Sequence, residues 1–546
     1  MVKRSRNRIR TFALGGILLC IPGGPFLRAG NAGVETDDGK IVVRSVDRAH
    51  SSTGANNDVQ GILNYYVNPS TGNDSQTPEK AQNPSTPWRT PNRAFKSMKI
   101  GPNGTILHLA AGTYSANVAC ENKNTVDMCI TEGGTSSTAR LTIQCDAMWS
   151  RPSSSGCMLR GTPTGYISVY TADHVIIAGF DVGGFSGAGY GIINFCDRLK
   201  AVNLACPHGN DVIIESNYVH DLGSTTTYNV NGNPSGPGCP MNGAIGSGQH
   251  GYFYTTPPII IGNFVANVYN KNASPPCNFS HGIYPANPGT QVYNNVVINA
   301  ATLGIQVYSS ACGTVLANNV TANNGGSGIV LTNTDAGCSA YGVPSGFNTV
   351  INNISVNNGG KGFHQTSPGS DCTATTPSLF SNNMTFGNAG GAQDLGSCDN
   401  WTQDPPLARE NPTATFVKYQ ADGLGDYRLN SGSVAIGKGI SRCAPRAPYS
   451  SCATRRDFQG SVWNAVRDIG AYANGSTPKG YPLQFSPNGQ VSEAGCGVPP
   501  LLEAGQAKGP KAVRDLRCEL PTLNNLFRIP LSEFTTASTE RLPRLR

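Results

Sequence analysis

A pair of asparagines set in a short apolar frame recurs through the centre of this chain, and it limits the possible folds more than any other feature. The frame reads Val292-Tyr-Asn-Asn-Val-Val-Ile, Val315-Leu-Ala-Asn-Asn-Val-Thr and Val350-Ile-Asn-Asn-Ile-Ser-Val, with a weaker copy at Leu379-Phe-Ser-Asn-Asn-Met-Thr. Gly304-Ile, Gly328-Ile and Gly362-Phe close the three stronger copies. The pairs begin at Asn294, Asn318, Asn352 and Asn382, so they advance by 24, 34 and 30 residues. Looser copies precede them at Val175-Ile-Ile-Ala-Gly-Phe, Val212-Ile-Ile-Glu-Ser-Asn-Tyr and Ile259-Ile-Ile-Gly-Asn-Phe. A period of roughly 20 to 50 residues is the mark of a repeat architecture.

The residue types choose among repeat folds. Short runs of Val and Ile with period two are strands that turn one face inward. Asn tolerates the left-handed backbone that a sharp bend between strands requires, and Asn side chains stacked in register can bond in ladders. A leucine-rich repeat needs a Leu framework that is missing, and propeller blades need a steadier period. A parallel β-helix accepts unequal coils, because the excess chain leaves as loops. The Gly-apolar steps then predict Ile305, Ile329 and Phe363 inside, with Tyr284, Gln306, Val330 and His364 in a row outside.

Cysteine usage and the N-terminus both point to export. Lys3, Arg4, Arg6, Arg8 and Arg10 precede an apolar run from Thr11 to Leu27 and the small residues Ala29 to Gly33. That is the layout of a signal peptide, here 1–32 with cleavage after Ala32; glycines and prolines in the run make a membrane anchor the weaker reading. The segment carries six of the 40 Lys and Arg and none of the 33 acids, so the +7 of the full chain becomes 34 − 33 = +1. That balance gives no reason to expect nucleic acid or an anionic membrane as partner. Cys20 leaves with the segment, and the other 16 of the 17 Cys fall in local pairs. These are Cys120/Cys129, Cys145/Cys157, Cys196/Cys206, Cys239/Cys277, Cys312/Cys338, Cys372/Cys398, Cys443/Cys452 and Cys496/Cys518. Sequential disulfides are one arrangement they allow, and the absence of C-x-x-C argues against zinc or redox roles.

A stack of repeats needs caps. At the front, Tyr65-Tyr-Val-Asn-Pro leads to an amphipathic stretch Trp88–Met98, expected as a short capping helix, and then to Gly104-Thr-Ile-Leu-His-Leu-Ala-Ala-Gly-Thr-Tyr114. At the rear stand Gly425-Asp-Tyr-Arg-Leu, Asp457-Phe-Gln-Gly and Asp468-Ile-Gly-Ala-Tyr. Together these resemble the cap, first coil and closing segment of secreted bacterial pectate-lyase-like β-helix proteins. The resemblance implies an all-β, single-stranded right-handed parallel β-helix solenoid with a short N-terminal capping helix. It divides the chain into a lead-in at 33–61, a β-helix at 62–400, a closing segment at 401–475 and an irregular, basic extension at 476–546. It implies a fold rather than a reaction, since the superfamily holds lyases, hydrolases, epimerases and non-catalytic proteins.

Candidate chemistry is sparse. The resemblance to lyases implies a base and carboxylates holding calcium near the substrate. Between Met241 and Ser370 the only acid is Asp335 and the only cations are Lys271 and Lys361. The Asp-Pro-His-Asp tetrad of mannuronan epimerases is absent as well. Acids gather earlier, at Asp173, Asp181, Asp197, Asp211, Glu215 and Asp221. His220 beside Asp221 makes an acid/base pair in which the carboxylate orients the imidazole, with His281 and Tyr284 expected nearby and His250 in the loop between. The alternative, which a His-Asp step in such a turn more often bears out, is structural, His220 capping a turn and His281 buried against the next coil. The substrate-binding row is Tyr284, Gln306 and His364, suited to stacking on sugars and bonding to them; an ordinary solvated face explains it equally. Two functions follow: a secreted polysaccharide-active enzyme, lyase ahead of hydrolase, or a non-catalytic β-helix that binds glycan or serves a surface. Extracellular or cell-wall polysaccharide is the expected partner, and a monomer the expected state. Calcium enters only with the lyase.

Overall fold

The computed structural model describes the strands Gly33–Asp37 and Lys40–Arg44 and most of residues 61–476. Within the latter, 117, 121–124, 148, 151–155, 161–166, 185–189, 198–199, 224–242, 249–250, 269–279, 309–311, 333–347, 367–377, 396–401, 404–410, 441–456, 460, 462 and 464–466 are not described. The signal segment and the extension beyond 476 thus lie outside the described residues. The two early strands pair antiparallel in a unit of their own, Met1–Val59, where the polar sequence suggests an irregular lead-in.

The described remainder winds through three parallel sheets of eleven, nine and nine strands. The first sheet starts at Leu63–Val67, the second at Gly112–Tyr114 and the third at Met128–Ile130. Each coil visits them in turn. Val212–Glu215, Tyr218–Leu222 and Gly243–Ser247 make one coil, and Ile259–Ile261, Phe264–Val268 and His281–Pro285 make the next. This is a right-handed parallel β-helix, the hand that parallel crossovers almost always take. Ile305, Ile329 and Phe363 lie in the core as their parity predicts, among Val265, Val297, Ile283 and Leu316. A fully buried side chain of this size stabilises by roughly 1.5–3 kcal/mol.

The two asparagines of each pair do different work. The first bends the chain from the first sheet into the second, with φ of 53° at Asn294, 59° at Asn318, 57° at Asn352 and 52° at Asn382. The second turns inward and builds a ladder, Asn217–Asn263–Asn295–Asn319–Asn353–Asn383, in which each Oδ1 accepts the backbone N–H and the Nδ2 of the rung before it. Each Nδ2 also donates to a backbone carbonyl, as Asn319 does to Val292 at 2.9 Å. All six rungs are buried; that keeps Asn319-Val-Thr and Asn353-Ile-Ser from serving as exposed glycan acceptors. A second ladder, Asn324–Asn358–Asn388, repeats the device at the bend into the third sheet.

Caps close the stack. The helix foreseen in Trp88–Met98 is Pro91–Ser97, started by Thr90, whose hydroxyl accepts from Arg93 N, and by Pro91 at the first helical position. Trp88 stays outside it, bridged to Val67 and stacked on Tyr65 at 5.3 Å. A second short helix, Pro78–Ala81, precedes it. At the rear, Phe416, Tyr427, Phe458, Ile469, Ala471 and Tyr472 of the closing segment cover the outer face of the second sheet over Phe264, Ile298, Val320, Ile354 and Met384. First asparagines fasten this cover: Asn318 Nδ2 donates to the carbonyls of Asp468 and Gly470, and Asn352 exchanges bonds with Ile440. The acidic motifs hold its loops, Asp457 accepting from the backbone of Gln459, Ser461 and Ala473.

Three of the sequential disulfides are formed, Cys120–Cys129, Cys145–Cys157 and Cys196–Cys206. Cys312 is disulfide-bonded too. Cys239, Cys277, Cys338, Cys372, Cys398, Cys443, Cys452, Cys496 and Cys518 lie outside the described residues.

Candidate functional site

The outer face of the third sheet carries the predicted row and extends it. Strand pairing aligns Gly246 with Tyr284, Gln306 with Val330, Val330 with His364, and His364 with Asp394. Tyr284, Gln306 and His364 are partly exposed, whereas Val330 is buried although it shares their parity. Two residues further along each strand the parity returns outward, and there a parallel row holds Tyr170, Phe195, Tyr308, Thr332 and Thr366. Backbone bonds fix that row: Phe195 N donates to Val169 O, Tyr308 N to Pro285 O and Thr366 N to Leu331 O.

Five partly exposed aromatic rings therefore line this face: Tyr170, Tyr190, Phe195, Tyr284 and Tyr308. Tyr170 and Phe195 are 5.8 Å apart, and Tyr284 and Tyr308 stack at 6.0 Å. Tyr190 reaches across to the next coil and lies over Gly246, where an added Cβ would meet its ring at 2.2 Å. Glycine at 246 is what lets the ring lie against the sheet. Polar groups stand at both ends of the line of rings. Tyr170 Oη donates to Asp197 at 3.4 Å, Lys200 stands over the Tyr170 ring at 5.6 Å, and the hydroxyls of Thr332 and Thr366 meet at 2.5 Å.

His220 lies elsewhere, on the outer face of the second sheet, aligned with Gly183 and Ala266. Its Nδ1 is 2.7 Å from Asp221 and its Nε2 is 2.8 Å from Asp181. Arg160 meets the same Asp181 oxygen at 2.7 Å, and Tyr218 stacks on the imidazole at 3.9 Å. Burial pulls His220 down, but the hydrogen bonds and charges of Asp181 and Asp221 outweigh it and hold the imidazole above its ordinary value. The hydrogen bond from His220 in turn holds Asp221 below the usual carboxylate range. As an imidazolium, His220 donates both N–H groups to carboxylates, so neither is directed at a ligand. The exposed member is Asp221, with half its side chain in solvent, and the buried imidazolium orients it rather than the reverse.

His281 does not join this cluster, and the expectation that coil stacking brings it to His220 is corrected. It sits on the third sheet, is almost fully buried, and stacks against Tyr284 at 5.2 Å. Burial pushes its imidazole down to about 3. It is a neutral support beneath Tyr284. The spacing of the sequence gives inside or outside, and not which of three sheets receives a residue.

The remaining acids brace the coils. Asp211 accepts a bidentate pair from Arg140 at 2.8 and 2.9 Å and faces His174 Nδ1 at 2.8 Å. Asp173 accepts from Asn210. Glu215 is fully buried on the first sheet's outer face, between Ala178 and Ile261. No group of three or more His, Cys, Asp or Glu among the described residues is placed to hold a metal ion. His250, Lys271 and Asp335 lie outside the described residues. The reading from sequence missed Tyr170, Tyr190, Phe195 and Tyr308. Tyr308 and Phe195 were within reach, each lying four residues after the glycine of a Gly-Ile step, at Gly304 and Gly191, whereas the coil of Tyr170 has Gly165-Tyr in its place.

No protein-family model and no curated protein sequence matches the chain. Among solved structures it is similar to pectate lyase Pel9A, with 13% identity and a TM-score of 0.41 over 75% of this chain and 96% of that one. An alginate lyase from a Paenibacillus species gives 14% and 0.31 over 61% and 98%, and a rhamnogalacturonan lyase 12% and 0.29 over 68% and 96%. These are likenesses of fold. The right-handed parallel β-helix itself stands on this chain's own strand order.

Proposed function

We propose that this protein is a secreted β-helix that binds an extended extracellular polysaccharide along the outer face of its third sheet. The observation that carries the reading is the line of five partly exposed rings on that one face, with Gln306 beside Tyr308 and with His364 and Thr366 on the coils beyond. Rings offer flat apolar faces to sugar rings, and amide and hydroxyl groups bond to sugar hydroxyls. Coils stack about 4.8 Å apart, close to the advance of one sugar unit in an extended chain. Disulfides in the described coils fit an oxidising compartment. The test is affinity electrophoresis of the full chain in gels containing polysaccharide. Tyr284→Ala and Tyr308→Ala are expected to weaken retardation about tenfold each, with unchanged circular dichroism. Retardation that ignores both substitutions refutes the reading.

A second reading, cleavage by a lyase, is favoured by one observation: the half-exposed Asp221 carboxylate backed by His220, Asp181 and Arg160. There Asp221 would take the proton from the carbon beside the uronate carboxylate, the glycosidic C–O bond at the next carbon would break as the double bond forms, the departing oxygen would take a proton from water, and Arg160 would offset the substrate's negative charge. Unsaturated chain ends, read by ultraviolet absorbance and abolished in Asp221→Asn, would support it.

A further inference from the structure

We infer that the aromatic strip is selective for chains of uncharged sugars over polyuronates. This rests on the binding reading above and adds the class of chain to it. A polyuronate carries one carboxylate per sugar, so a strip that crosses several coils would have to offer a cation at nearly every coil. The charged side chains at the strip's two ends are already neutralised. Lys200 pairs with Asp197 at 3.2 Å and Lys361 with Asp394 at 3.9 Å. Between them, from Tyr190 to Val330, the described outward positions of the strands are uncharged, Phe195, Gly246, Tyr284, Gln306 and Tyr308 among them. Beneath Tyr284 lies His281, which burial keeps neutral, so no positive charge backs that ring.

Seating a carboxylate on this surface would strip its water without supplying a cation to offset its charge, which is unfavourable by the general cost of uncompensated charge burial. A neutral ring loses no such hydration. It stacks on the tyrosines and bonds to Gln306 and the threonine hydroxyls. Binding of this kind depends little on ionic strength, because no released counterion or screened pair contributes to it.

The experiment measures retardation of the full chain by soluble neutral polysaccharides (hydroxyethyl cellulose, xyloglucan, galactomannan) and by polygalacturonate and alginate. Each is run at low and high salt, with Tyr284→Ala beside the native protein. The expected result is retardation by at least one neutral chain, unchanged by salt and about tenfold weaker in Tyr284→Ala, with at least tenfold weaker retardation by the polyuronates. Equal or stronger binding of polyuronates that still depends on Tyr284 overturns the selectivity while leaving the strip as the binding surface. Binding of any class that ignores Tyr284, or none at all, overturns both.

Discussion

Replacing Asn319 with Ala tests the account of how this fold is held together. Asn319 is fully buried at the middle of the ladder. Its Oδ1 accepts from Asn295 N and Nδ2, both at 3.0 Å, and its Nδ2 donates to Val292 O at 2.9 Å and Asn353 Oδ1 at 3.0 Å. Truncation removes all four bonds. Asn295 Nδ2 keeps Ile260 O and Asn353 Oδ1 keeps Asn319 N, so the Asn295 backbone N–H is the donor left without its acceptor. A buried group orphaned in this way costs about 1–3 kcal/mol, and the lost network adds to it, giving roughly 2–4 kcal/mol in all. Asn323→Gly is the control. Its φ of 53° suits glycine, and its one bond, to Ala421 O, is exposed, so the cost is about 1 kcal/mol or less. Urea unfolding reads both, and hydrogen exchange of peptides spanning 292–298 reads the Asn295 amide directly, with protection falling about a hundredfold in Asn319→Ala. Equal costs for the two substitutions, or unchanged exchange at Asn295, would refute the division of labour within the pairs.

Two further outcomes follow from the same coordinates. Full reduction of the three described disulfides, which span 9, 12 and 10 residues of sequence, lowers stability by roughly 2–3 kcal/mol for each loop and is read as a lower melting temperature. Gly246→Val places a side chain where the Tyr190 ring lies, so it displaces the ring and weakens polysaccharide retardation a few-fold while the circular dichroism spectrum stays the same.

The fold was legible because its signals are local. Parity along a strand assigned Ile305, Ile329 and Phe363 to the core, and Asn pairs at the bends announced both the left-handed turn and the ladder. Which asparagine does which job was not legible. In the two central pairs the first asparagine looks outward and finds partners more than eighty residues away, Asn352 at Ile440 and Asn318 at Asp468. Trp88 misled for a similar reason: its apolar character fits a helix face, yet Thr90 and Pro91 start the helix later and Trp88 packs on Tyr65.

The candidate site shows the same limit, and His220 gives it a test. Adjacent residues were paired correctly, His220 with Asp221, because contact follows from neighbourhood. Asp181, the other half of the bridge, comes from the preceding coil and no spacing rule pointed to it. The pair so completed predicts a pH dependence with two flanks. The folded His220 titrates above its unfolded value of about 6.5, so the stability it contributes is fully present below that value and is lost as pH rises through the folded one. Asp221 is shifted down, so its contribution is present above its unfolded value of about 3.9 and lost as pH falls through the folded one. Arg160 and Asn267 also face the network. His220→Gln removes the proton whose binding favours the fold. As pH rises above the unfolded value of about 6.5, the native protein is therefore expected to lose melting temperature more steeply than the variant. Melting curves that run parallel across that range would show that His220 holds no proton of consequence, and the imidazolium bridge between the two carboxylates would have to be abandoned.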